Sequence, residues 1–71
     1  MKDMYIKLFG GMIIGKITED FSGKRTAYTY SGIILGTYNP NDNYTRDFTG
    51  RILCEGDILS SLIMDKYRGR L

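Results

Sequence analysis

Apolar and polar residues alternate along most of the chain, and glycine interrupts the alternation at recurring places. In residues 4–9, Met4, Ile6 and Leu8 stand against Tyr5 and Lys7, the period of two that sends successive side chains to opposite faces of a strand. Residues 12–18 resume after Gly10-Gly11. Residues 25–30 alternate Tyr28 and Tyr30 against Ala27 and Thr29, and residues 33–38 are apolar and rich in isoleucine. Residues 43–48 set Tyr44, Arg46 and Phe48 on one side, and a last strand is expected over 51–54. Residues 19–24 are polar and turn-like. Asn39-Pro40-Asn41-Asp42 is the clearest turn, with proline at the second position of a type I turn and side chains able to bond their own backbone. The period changes after Glu55-Gly56. Ile58, Leu59, Leu62, Ile63 and Tyr67 recur at helical spacing behind Asp57, which suits an N-cap, while Lys66 and Arg68 suit the other end of the dipole. The spacing predicts a helix over 57–67, ended near Gly69. It is short enough to need packing, so its apolar stripe is expected to cover an open face or end of the sheet.

An aromatic, a small residue and a glycine occur together four times, at Phe9-Gly10-Gly11, Phe21-Ser22-Gly23, Tyr30-Ser31-Gly32 and Phe48-Thr49-Gly50. Gly11-Met-Ile-Ile-Gly15 and Gly32-Ile-Ile-Leu-Gly36 are near copies, and Gly50-Arg-Ile-Leu-Cys54 is a weaker third. Such punctuation writes successive short strands and tight turns. Gly15 and Gly36 fall inside strands, where glycine marks a bulge, a bend or a close backbone approach, so the same bend is expected twice. The resulting expectation is a single mainly β domain: a small antiparallel meander of five or six strands, strongly curled or barrel-like, closed by one C-terminal helix.

The units Tyr28-Thr-Tyr-Ser-Gly32-Ile-Ile-Leu-Gly36 and Tyr44-Thr-Arg-Asp-Phe-Thr-Gly50-Arg-Ile-Leu resemble the hairpin repeats of small, largely uncharacterised bacterial and mobile-element proteins. The likeness covers residues 25–54, with a fainter copy at 5–17. It implies a meander of hairpins and carries over no active-site residues.

Composition narrows the chemistry. Seventy-one residues bury only about 60% of the unfolded surface, so the core is small. One cysteine and no histidine leave no internal disulfide and no zinc site of ordinary ligands. Cys54 reads as a small buried hydrophobe, and cysteine usage favours a reducing, cytoplasmic setting. The apolar span 8–15 is too short to cross a membrane and lacks a cleavage motif after it. A net charge of +2 is below the strongly basic face of a dedicated DNA binder.

Most motif matches fail on context. Gly10-Gly-Met-Ile-Ile-Gly15-Lys16 fits seven positions of a phosphate-binding loop, but Ile17 stands where a hydroxyl is needed and the surroundings favour a strand. Asn39, Asn41 and Asn43 have the spacing of a calcium loop, but Tyr44 and Gly50 occupy the positions of its glycine and its bidentate glutamate. Asp47, Glu55 and Asp57, flanked by Arg46 and Arg51, are the one conceivable catalytic cluster, and a mutually neutralised surface explains them better. Ser60, Ser61 and Cys54 have no histidine to activate them. No metal or cofactor is implied. The expected function is non-catalytic: a protein-binding or adaptor module, with homodimerisation as one form of that binding. The alternative is a small barrel that binds single-stranded nucleic acid through Tyr28, Tyr30, Tyr44, Arg25 and Arg46, rings for stacking beside cations for phosphate.

Overall fold

A computed structural model of the chain describes residues 2–69; Met1, Leu71 and Arg70 of the basic tail lie outside the described residues. The strands are β1 (Lys2–Lys7), β2 (Ile13–Glu19), β3 (Arg25–Thr29), β4 (Ile34–Asn39), β5 (Tyr44–Asp47) and β6 (Ile52–Glu55), followed by the helix α1 (Leu59–Tyr67). They form one antiparallel sheet in chain order, each strand hydrogen-bonded to the next. The order is linear, with β1 and β6 at its two ends. Barrel closure is therefore not part of the strand pairing. The expected meander with a terminal helix is.

Each aromatic–small–glycine triplet is a hairpin tip. The residue before the aromatic donates its N–H to the carbonyl of the residue after the glycine, and its own carbonyl accepts from the glycine N–H. These bonds join Leu8 to Met12 and Gly11, Asp20 to Lys24 and Gly23, Thr29 to Ile33 and Gly32, and Asp47 to Arg51 and Gly50. The scheme needs a residue with positive φ at the third loop position, and Gly11, Gly23, Gly32 and Gly50 lie at 88°, 88°, 93° and 95°. Asp20 and Asp47 reinforce their loops, each carboxylate accepting two loop amides and one hydroxyl. The fifth connection differs. Pro40 lies in a loop closed from Asn43 N–H to Asn39 O, one residue beyond a type I turn, because Asn43 itself takes φ 61°.

The three hairpins β1–β2, β3–β4 and β5–β6 share a second device. Pairing passes from Ile6–Gly15 to Lys7–Ile13, from Ala27–Gly36 to Tyr28–Ile34, and from Thr45–Cys54 to Arg46–Ile52. Ile14, Leu35 and Leu53 are thus bulge residues, each three positions past its tip glycine. At Gly15 a Cβ would lie 2.5 Å from Tyr28 O, and at Gly36 it would lie 2.5 Å from Arg46 O. The crowding carbonyl belongs in each case to the following strand. β6 has no following strand, so the third copy accommodates Cys54.

α1 lies over β2, β3 and β4. Leu59, Leu62 and Ile63 bury against Ile14, Ile17 and Ala27, and Gly15 and Gly36 let Ile63 and Leu62 approach the sheet backbone. Fully buried Thr45 joins helix to sheet: its hydroxyl donates to Gly56 O at 2.5 Å and accepts from Ile58 N–H at 3.2 Å. The helix starts two residues later than its pattern predicts. Ile58 is the N-cap, while Asp57 stands one place earlier and accepts from Leu59 N–H at 3.0 Å. Gly69, at φ 78°, ends the helix as expected, its N–H bonded to Lys66 O.

Candidate functional site

Alternation and pairing separate the residues expected to act together. Ala27 faces the helix, so Arg25 lies on that side, and Thr26 and Tyr28 lie on the uncovered face. Tyr44 and Arg46 flank helix-facing Thr45 and share the uncovered face with Tyr28. Tyr30 is on neither face, because it is a hairpin-tip residue; Phe48 leaves its expected face for the same reason. Arg25 is held between Glu19, at 2.9 Å, and Asp57, at 2.7 Å. It fastens β2 and β3 to the segment that opens α1. Arg46 is held by Asp42 at 2.8 Å and lies 5.9 Å from the Tyr44 ring centre, while Lys16 lies 5.5 Å from that of Tyr28. The proposed nucleic-acid set is thus divided among three places.

The one conceivable catalytic cluster, Asp47, Glu55 and Asp57, is also dispersed. Asp47 is built into the tip before β6, whereas Glu55 ends β6 and Asp57 follows it. The Thr49 hydroxyl and the amides of Arg51 and Thr49 hold the Asp47 carboxyl below the usual range, and Ser22 and Lys24 do the same for Asp20. Both effects are turn chemistry. Among the described residues no group of three or more His, Cys, Asp and Glu side chains is arranged to hold a metal ion, and no helix is long and apolar enough to cross a membrane.

What the fold does assemble is an apolar end. Three tips, those of β1–β2, β3–β4 and β5–β6, project from the same end of the meander, and the tip of β2–β3 projects from the other. Their aromatics are not core. Phe9 is 107% exposed, Tyr30 79% and Phe48 74%. The residues that follow each tip add to the same surface: Met12 and Ile13, Ile33 and Ile34, Ile52 and Leu53 are all exposed.

Two grooves that α1 helps to line cut into this end, and a third, 310 Å³, lies between Tyr5, Lys16 and the middle tip at Tyr30. The first, 540 Å³, is lined by Gly11, Met12, Ile13, Ile14, Tyr30 and Tyr67. The second, 490 Å³, is lined by Ile33, Ile34 and Leu35 from β4 and its tip, by Phe48 and Leu53, by Leu62 and Lys66 of α1, and by Asp47 and Arg51. They are copies of one design. Met12, Ile13 and Ile14 correspond to Ile33, Ile34 and Leu35, and each groove ends on the next tip aromatic, Tyr30 or Phe48. Only Tyr30 of this set was among the sequence-derived site residues. The signal for the others was the triplet itself, since a three-residue loop puts its leading aromatic outside both strands.

The fold is a six-stranded antiparallel meander with a helix across one face. Comparison with protein-family models, curated proteins and solved structures finds no match to this chain.

Proposed function

We propose that the protein is a non-catalytic binding module that holds another polypeptide chain, a second copy of itself included, against the end formed by Phe9, Tyr30 and Phe48. The observation that supports this reading is the three-fold repetition of an exposed tip ring at one end of the sheet, two of them, Tyr30 and Phe48, lining a groove. Large apolar patches rimmed by polar groups are characteristic of contact surfaces, and aromatic anchors in pockets dominate binding energy. A cytoplasmic setting belongs to the same proposal, on cysteine usage. The test is capture from the source cell with wild type and with a Phe9→Ser/Tyr30→Ser/Phe48→Ser variant, together with sedimentation of both. The reading requires a partner, or a dimer, that wild type retains and the variant loses. Identical behaviour of the two proteins would refute it.

The nucleic-acid reading has one observation in its favour: Tyr5, Tyr28 and Tyr44 share the uncovered face with Lys16 and Arg46. Cations already sit beside two of these rings, and Asp42 neutralises Arg46, so this reading is the weaker. It requires retention of single-stranded DNA or RNA that falls steeply between about 50 and 200 mM salt and is lost in Tyr28→Ala/Tyr44→Ala. No retention at low salt would remove it.

A further inference from the structure

The two edge strands of the sheet are not equivalent. β6 is four residues long and carries the bulge at Leu53. Its Cys54 stands where Gly15 and Gly36 make room for the carbonyl of a following strand, so a seventh strand in the same register would meet a Cβ. β1 is six residues long, and the extra residue of its hairpin lies on β2. Leu8 turns its backbone toward β2: its N–H donates to Met12 O and its carbonyl accepts from Gly11 N–H. Backbone groups alternate in direction along an antiparallel strand, so Ile6, Met4 and Lys2 also face β2. The N–H and carbonyl groups of Asp3, Tyr5 and Lys7 therefore point out along the free edge. Met4 and Tyr5, at that edge, are about half exposed.

A further strand extends this ladder only if its own outward residues meet Asp3, Tyr5 and Lys7. β1 of another copy meets that condition about a two-fold axis. Centred on Tyr5, antiparallel pairing sets Asp3 opposite Lys7 of the second copy, Met4 opposite Ile6, and Tyr5 opposite Tyr5. The Asp3–Lys7 and Tyr5–Tyr5 pairs then each exchange two N–H···O bonds, with opposite charges facing and the rings meeting on the uncovered face. Centring on Met4 or Ile6 keeps the hydrogen-bond phase but sets Asp3 opposite Tyr5 or Phe9, and no opposite charges face. Among the described residues neither Asp3 nor Lys7 forms an ion pair within its own chain. Lysine on an edge ordinarily discourages pairing; in this register a carboxylate answers it.

We infer that β1 is a self-pairing edge: two copies join there, antiparallel and centred on Tyr5, into one continuous sheet with both helices on the same side. The contact is isologous and closes at a dimer. It does not use the tip surface. The two copies run in opposite directions, so their three-tip ends point apart and stay open to a partner.

The test is sedimentation equilibrium of the full chain up to about 1 mM, with circular dichroism to check folding. Wild type should dimerise. Tyr5→Pro deletes an outward N–H that the monomer does not use, which an edge strand tolerates, and should leave a folded monomer. Asp3→Lys and Lys7→Asp each set like charges in both symmetric contacts and should weaken the dimer at least about tenfold. The exchange Asp3→Lys/Lys7→Asp should restore it, and decides alone if Tyr5→Pro unfolds. The Phe9→Ser/Tyr30→Ser/Phe48→Ser variant should dimerise as wild type does. A monomeric wild type overturns the inference, as does a dimer lost in the tip variant and kept in Tyr5→Pro; both results leave the tip reading standing. Charge variants that weaken the dimer without rescue in the exchange also overturn it. A β1 dimer whose tip variant captures the same proteins as wild type keeps this inference and removes the tip reading.

Discussion

Replacing Gly36 by alanine tests the packing on which the domain depends. The new Cβ would lie 2.5 Å from Arg46 O and 2.9 Å from Leu62 Cδ1. Ordinary carbon–oxygen approach begins near about 3.3 Å, so β4 and β5 would have to separate locally by about 0.8 Å. Leu62 can rotate away, but a backbone carbonyl in a ladder cannot move without stretching its hydrogen bonds. Overpacking of this kind costs about 1–3 kcal/mol. Because Gly36 does not have positive φ, alanine also lowers unfolded-chain entropy, which returns about 0.4–1 kcal/mol. The net loss is about 1–2 kcal/mol. A chain of 71 residues has a total stability of roughly 4–11 kcal/mol, so the loss is a substantial share, worth about 4–16 °C in Tm. The assay is thermal and urea unfolding followed by far-UV circular dichroism. Cys54→Ala is the control, since Cys54 is the corresponding residue on a strand with no successor; its cost should stay below about 1 kcal/mol. A Gly36→Ala protein as stable as wild type would refute the close-approach argument.

Other perturbations probe the remaining joints. Thr45→Val removes the donor to Gly56 O and the acceptor of Ile58 N–H; leaving such groups unpaired costs about 1–3 kcal/mol each, and amide exchange should show α1 losing protection first. Leu62→Asp buries a charge at a position only 6% exposed, and the domain should lose its cooperative unfolding transition. Asp20, Asp42 and Asp47 have folded pKa values below the 3.8 of the free side chain. Their stabilisation is therefore present above that value and lost as pH falls through the folded values. Urea midpoints should hold steady from neutral pH to about pH 5 and fall below about pH 4. Asp47→Asn should flatten that fall; an unchanged acid limb would refute the assignment.

The alternation of Tyr5 and Lys7 against Met4, Ile6 and Leu8, the triplets and the helical run 58–67 are local patterns, and they sufficed to specify strands, turns, a terminal helix and two strand glycines where another backbone comes close. Strand and turn chemistry act over a few residues, so the chain carries them explicitly. Which side of the sheet a residue meets is a different matter. The helix happens to cross the face that bears Arg25, which divides it from Tyr28 and Arg46 although Arg25 and Tyr28 are three residues apart on one strand. Sheet closure depended on whether β1 meets β6, a long-range pairing that no local pattern encodes. The site was hidden for the same reason. Phe9, Tyr30 and Phe48 are 21 and 18 positions apart, and only the folding back of three hairpins brings their tips to one end, where burial by the small core is out of reach and exposure follows.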